Sequence, residues 1–273
     1  MGSQWSEHAC SVRTWRTCWL ESATTLGAAS SARILGDASL LSVEHLGGVA
    51  GVLVATAVLT VAARLRPGPW ITVVSRVLAI VIVLTEPSYW VQEVMHGTWS
   101  ARYDLPLQLS NASEFVSAAA LWWRTPFLVE LTYFWGLGAV LQALATPDFP
   151  EHFPDPAYFR FYLAHGGVLL AAIFLTVGLR ITPRPGAPVR VFLATVVYAA
   201  FVGLADVLTN GNYMYLRRKP VAGTLLNFMG PWPWYIGTGL VLAVIFLAIL
   251  NAPFWLARRR AAASTRAGFL GML

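Results

Sequence analysis

Cysteine is almost missing from this chain of 273 residues, and the two that occur, Cys10 and Cys18, both stand in the leading 40 residues. They make neither a Cys-x-x-Cys pair nor a framework. That excludes a zinc cluster or a disulfide scaffold as the basis of the fold, although a pair in one tail can oxidise if exported. Charge is scarce too: 12% of residues are charged against 57% hydrophobic, and mean hydropathy is +0.60. Soluble domains carry about twice that share of charge, so the chain reads as an integral membrane protein. The net charge of +6 is not gathered into a basic face interleaved with aromatics, which excludes nucleic acid as a partner. The first 40 residues lack an apolar run long enough for a signal-peptide core and read as a poorly ordered or interfacial tail, residues 1–40. No motif for a cofactor or a metal is present.

What is there is a recurrence of apolar runs of about 20 residues, the length that crosses a bilayer. They predict a single membrane domain over residues 41–260 and a short C-terminal tail, 261–273. The first span begins near Val43 and ends before Arg64 and Arg66, with Gly47 and Gly51 as a small-xxx-small pair that admits a neighbouring helix. The second runs from Trp70 to about Tyr89. The third starts in the Leu105–Ser110 stretch and continues to Trp123, where Arg124-Thr125-Pro126 breaks it. Phe127 to Thr146, Tyr158 to Arg180, Val189 to Leu208 and Tyr235 to Leu256 complete the set, the last closed by Arg258 to Arg260. The expected fold class is therefore all-α, a polytopic bundle of about seven transmembrane helices. Arg64, Arg66, Arg124, Arg180, Arg184, Arg190 and Arg258 to Arg260 fall on one side, which favours an N-outside, C-inside orientation in the cell membrane.

Alternating the spans up and down brings polar residues to one level: Glu86, Glu93, Gln108, Ser110, Gln142, Asp148, Tyr158, His165, Asp206, Asn210, Asn212 and Tyr213. The opposite level holds Glu130 and little else of this kind. Such groups are costly against lipid and turn inward, so the pattern predicts a polar cavity open near one leaflet. Tyr158, Phe161, Tyr162 and His165 are spaced i, i+3, i+4 and i+7 and share a helical face. His165 is the one histidine well inside a span, and an ordinary pKa of about 6.5 suits proton transfer. Ser110 becomes a nucleophile if His165 removes its proton while Asp206 orients the imidazole. A plain inter-helix hydrogen bond is the competing role for His165, and packing is the commoner role for a serine in a membrane helix. Gln108, Gln142, Asn210, Asn212 and Tyr213 are candidate substrate contacts. Arg217, Arg218 and Lys219 either hold a phospholipid head group or anchor their loop to anionic lipid.

Several stretches together carry a resemblance: Leu105 to Ser110, Tyr133 to Leu137, Gln142 to Asp148, Tyr158 to Gly166, Asn212 to Leu216, Lys219-Pro220 and Gly230 to Tyr235. In that order they resemble the YwaF-like bacterial integral membrane proteins over roughly His45 to Leu256. That family is distantly similar to the transmembrane protein 164 acyltransferases of vertebrates, which move a fatty acyl chain between phospholipids through a cysteine and a histidine. The resemblance implies that His165 is the histidine. The cysteine has no counterpart in the spans of this chain, so Ser110 replaces the thiol or the acyl chemistry is absent. Membrane lipids are then the expected partners, in acyl transfer or acyl-ester hydrolysis. The alternatives are a carrier or receptor for a small ligand, or a structural subunit whose Gly-rich helix faces meet a partner helix or a second copy of the chain.

Overall fold

Residues that stop or start helical hydrogen bonding set the joints of this chain. Gly97 takes φ +71° after the second helix, and the N–H groups of Gly97 and Thr98 turn back to the carbonyls of Val94 (3.1 Å) and Glu93 (3.0 Å). A left-handed residue at this point satisfies carbonyls that the helix leaves open. Pro126 and Pro156 stand in first turns, where their missing N–H costs nothing. The Asp155 carboxylate accepts the Ala157 N–H at 2.7 Å and caps the helix that follows.

A computed structural model describes residues 42–145, 152–219 and 228–270. Within them lie seven main helices and no strand: α1 (Val43–Leu65), α2 (Trp70–His96), α3 (Leu109–Trp123), α4 (Pro126–Ala145), α5 (Pro156–Gly178), α6 (Ala187–Thr209) and α7 (Trp234–Leu270). The helix α4 joins Pro126–Trp135, a π-helical turn at Gly136–Val140, and Leu141–Ala145. Six of the seven are long and apolar enough to cross a membrane. The exception is α3, whose 15 residues span about 22 Å, short of a hydrocarbon core of about 30 Å. The expected tail at 1–40 and Asp148 lie outside the described residues.

Three helix ends depart from the sequence expectation. α2 continues through Pro87 to His96 instead of ending near Tyr89. The hydroxyls of Thr85 and Ser88 donate to the Ile82 and Thr85 carbonyls (2.5 and 2.6 Å) on either side of Val83, whose carbonyl Pro87 leaves without its helical N–H; prolines are tolerated in membrane helices. α3 begins at Leu109, so Leu105 to Gln108 are non-helical. α7 runs on past Arg258–Arg260 to Leu270, because arginine is a good helix former and a charge cluster ends an apolar span without ending a helix.

Inter-helix pairs fix the directions. His45 meets Tyr162 and Thr60 lies by Gly178, so α1 and α5 are parallel. Glu86 pairs with Asn111 and Ser75 with Arg124, so α2 and α3 are antiparallel. One end of the bundle therefore gathers the starts of α1, α3, α5 and α7. The other gathers Arg64, Arg124, Arg180, Arg184 and Arg190. α5 is the central helix, mostly buried within the protein, whereas α7 is almost wholly at its periphery. Its Val168, Ala171, Phe174 and Leu175 join Ala79, Ile82, Ala118, Ala120 and Leu121 of α2 and α3 in the main core. Lipid is as apolar as these side chains, so close van der Waals packing through small residues holds the helices together.

The glycine pair expected at the α1 contact is not the one used. A Cβ on Gly47 or Gly51 would meet nothing within 4 Å, whereas one on Gly48 would lie 2.4 Å from the Tyr162 ring. The true contact stripe of α1 is offset by one residue from the Gly-xxx-Gly spacing. At the arginine end the fully buried Glu130 accepts from Arg184 Nε at 2.9 Å and Arg190 Nη2 at 2.8 Å. This joins the middle of the bundle to the α5–α6 connection and the start of α6.

Two outcomes follow for thermal unfolding in detergent. Gly48→Val displaces Tyr162 and lowers stability by about 1–3 kcal/mol, while Gly47→Val leaves it unchanged. Glu130→Gln removes the anion that two arginines share and lowers the unfolding temperature; an unaltered temperature would show that the cluster contributes nothing.

Candidate functional site

A cavity of about 320 Å³ opens between α2, α3, α5 and the connection at residues 98–108. Helical periodicity explains the residues that reach it. Thr85, Glu86 and Tyr89 share one face of α2, and Asn111 and Glu114 are three apart on α3. On α5 the face is Ala157, Arg160, Phe161, Ala164 and His165. The expected face of Tyr158, Phe161, Tyr162 and His165 is thereby split. Tyr158 and Tyr162 are buried toward α1, where their hydroxyls meet the Glu44 carbonyl (2.7 Å) and the His45 ring (2.8 Å).

The polar wall is built from buried carboxylates. Glu86 and Glu114 are 8% and 2% exposed, and no ion pair reaches either among the described residues. The Asn111 amide donates to Glu86. The Thr85 hydroxyl lies 2.6 Å from Glu114 Oε2 and 2.5 Å from the Ile82 carbonyl. Thr85 has a single proton to give, so both contacts are hydrogen bonds at once only when Glu114 is itself the donor in one of them. Asp104 accepts from Tyr89 (2.6 Å) and from the Ser100 N–H (2.7 Å). Arg160 supplies the cation of the wall, lying over the Tyr89 ring at 5.3 Å and donating to Gln92 at 2.8 Å.

His165 sits in the π-helical turn Tyr162–Gly166, a local widening often found at functional sites. Its ring stacks on Phe161 at 4.6 Å. Nδ1 lies 3.2 Å from the Phe161 carbonyl. A carbonyl only accepts, so in the neutral ring Nδ1 carries the hydrogen and Nε2 keeps a lone pair.

The irregular backbone before the short α3 lines this cavity, the setting in which non-helical backbone is tolerated at membrane depth. It is held by the segment after α6. The Tyr213 hydroxyl accepts from the Leu105 N–H (2.8 Å) and donates to the Ala101 carbonyl (2.9 Å). Gln108 Oε1 accepts from the Met214 N–H (2.8 Å), and Asp206 Oδ1 from the Tyr213 N–H (2.7 Å). Burial and the nearby Asp104 and Asp206 carboxylates raise the Tyr213 phenol above its usual range, which keeps the proton that it donates.

His165 and Gln108 thus reach the cavity, and Ser110 and Asp206 are not among its lining residues. Among the described residues no hydrogen bond joins Ser110, His165 and Asp206. Ser110 is half-buried in the first turn of α3, beside Asn111. Asn210 caps α6 at φ 55°, and its side chain accepts from Arg217 Nη1 at 3.0 Å. Asn212 Oδ1 accepts the N–H groups of Arg217 and Arg218. Arg217 also donates to the Asp206 and Gly211 carbonyls, Lys219 lies over the Tyr235 ring, and Gln142 is exposed on α4. Sequence reasoning missed Asn111, Glu114, Thr85, Asp104 and Arg160. Glu114 was findable as the lone carboxylate within an apolar run, whereas Asp104 and Arg160 stand in segments where a solvated charge is ordinary. Among the described residues no three His, Cys, Asp or Glu side chains are grouped as metal ligands.

The sequence pattern of the TMEM164 family matches residues 40–251, which takes in α1 to α6, the cavity and most of α7's apolar stretch. No curated protein and no solved structure matches the chain. With a match over most of its length, this integral membrane protein belongs to the TMEM164 family.

Proposed function

We propose that the chain is a cell-membrane enzyme acting on a fatty acyl ester of a lipid, by transfer or by hydrolysis, with its cavity toward the outer leaflet. The observation that carries this reading is His165 on the wall of a polar intramembrane cavity, with Nδ1 committed to the Phe161 carbonyl. Its Nε2 is the general base and later the acid. Ser110 takes the acyl group, and its hydroxyl has no hydrogen bond to give up among the described residues. Because Ser110 and His165 do not touch, bound substrate has to draw the start of α3 toward α5, as catalytic contacts often tighten only in the complex. Arg160 is the cation placed to meet a head-group phosphate. Asp206 and Tyr213 act as positioning residues through the 98–108 connection.

A second reading rests on Glu86 and Glu114. Two buried carboxylates without an ion pair, inside a membrane domain, are also what a carrier for a protonated or cationic ligand needs.

Lipid mass spectrometry on the purified protein with mixed phospholipids separates the two. The wild type exchanges acyl chains or releases fatty acid, and His165→Ala lowers the rate by about 10²–10⁴-fold while eluting as a folded species. Loss in Ser110→Ala supports an acyl-enzyme; retention in that variant alone assigns direct attack on the ester, by water where fatty acid is released and by the hydroxyl of an acceptor lipid where acyl chains are exchanged. Full activity of His165→Ala overturns the mechanism. An inactive wild type that retains a small ligand, lost in Glu114→Gln, establishes the carrier reading.

A further inference from the structure

At the opposite end of the bundle a second cavity, of about 500 Å³, lies where α1, α2, α3 and α5 end or begin. Arg64, Arg124 and Arg180 line it, and no Asp or Glu does. The cations of this cavity differ from the pair beside it. Arg184 and Arg190 are neutralised by Glu130. Arg64, Arg124 and Arg180 meet only neutral oxygens or none: Arg64 Nε donates to the Val177 carbonyl (2.6 Å), and Arg124 Nη2 makes long contacts to Ser75 and Thr72 (3.3 and 3.4 Å). The Arg180 guanidinium makes no hydrogen bond or ion pair among the described residues.

Topology alone asks only that arginines stand on this side. It does not ask them to adopt a left-handed backbone, yet Arg124 has φ 54° and Arg180 φ 59°. That conformation is costly for a residue with a side chain and ordinary for glycine or asparagine. Arg124 adopts it as the C-cap of α3, with its N–H on the Ala120 carbonyl at 2.9 Å, so the helix end sets the backbone there while the guanidinium lines the cavity. Beside the cavity, Val61, Leu65 and Val177 present exposed apolar side chains along α1 and α5, a surface for hydrocarbon chains.

We propose that this cavity binds the phosphate-bearing head group of an anionic phospholipid, with guanidinium groups on the phosphate oxygens and the acyl chains lying against α1 and α5. Paired donors of arginine match phosphate geometry, and basic pockets between helices at a membrane face recognise such head groups. The site is separate from the cavity that holds His165.

The test is native mass spectrometry of the detergent-purified protein titrated with phosphatidylglycerol, phosphatidylcholine or inorganic phosphate. Phosphatidylglycerol is expected to bind in preference to phosphatidylcholine. The variant Arg124→Asn/Arg180→Gly removes two cations and substitutes residues that accept the left-handed backbone, so its unfolding temperature without lipid stays equal or rises. Its phosphatidylglycerol affinity falls about fivefold for each cation lost at low salt. Arg259→Gln, which removes a cation stacked on Trp255 at the same end, leaves binding unchanged. Equal binding of phosphatidylglycerol by the double variant and the wild type overturns the site. Equal affinity for inorganic phosphate overturns the lipid as its ligand in favour of a free anion.

Discussion

A polar side chain inside an apolar span has no water to turn to, and most of this structure follows from that constraint. Glu86 is met by Asn111, Glu114 by Thr85, and Asp104 by Tyr89 and the Ser100 N–H, and these residues wall the cavity. The apolar faces left outside, such as Val54, Val58, Val197 and Leu204, meet lipid. Exposed hydrophobic surface that would be a liability in water is here the solvated surface.

α5 carries the consequence furthest. It is buried among its neighbours, and small residues let α1 and α2 approach it: Gly166 and Gly167 would have Cβ atoms 2.4 and 2.7 Å from Val52 and Ile82. With its backbone gripped on two sides, the π turn at Tyr162–Gly166 presents His165 to the cavity while Tyr162 stays locked against His45. The packing that holds the helix and the placement of the imidazole are one arrangement.

The last turn of α6 and the stretch after it work at a distance. Their conspicuous polar residues, Asp206, Asn210, Asn212, Tyr213 and Arg217, mostly hold one another, and through Tyr213 and Met214 they hold the connection that contributes Tyr103, Asp104, Leu105 and Gln108 to the wall. A short α3 needs that support, because irregular backbone near a membrane must have its hydrogen bonds supplied by neighbours. Polar density in a sequence marks where a network is, without saying whether it binds a ligand or a loop.

Hydropathy and punctuation determined the all-α class, the order of the apolar segments and the gathering of polar residues at one end. These depend on run length and charge, which are properties of the chain alone. His165 was legible for the same reason, as an ionisable residue inside an apolar run. Tertiary structure decided which glycine meets Tyr162, which face of α5 lines the cavity, and that Asp206 faces Tyr213 instead of His165. It also decided that Arg64, Arg124 and Arg180 share a cavity while Glu130 takes the two arginines beyond them. Each of these turns on the rotation and offset of one helix against another. Those are set by side-chain volumes on both partners at once, and no single segment of sequence contains them.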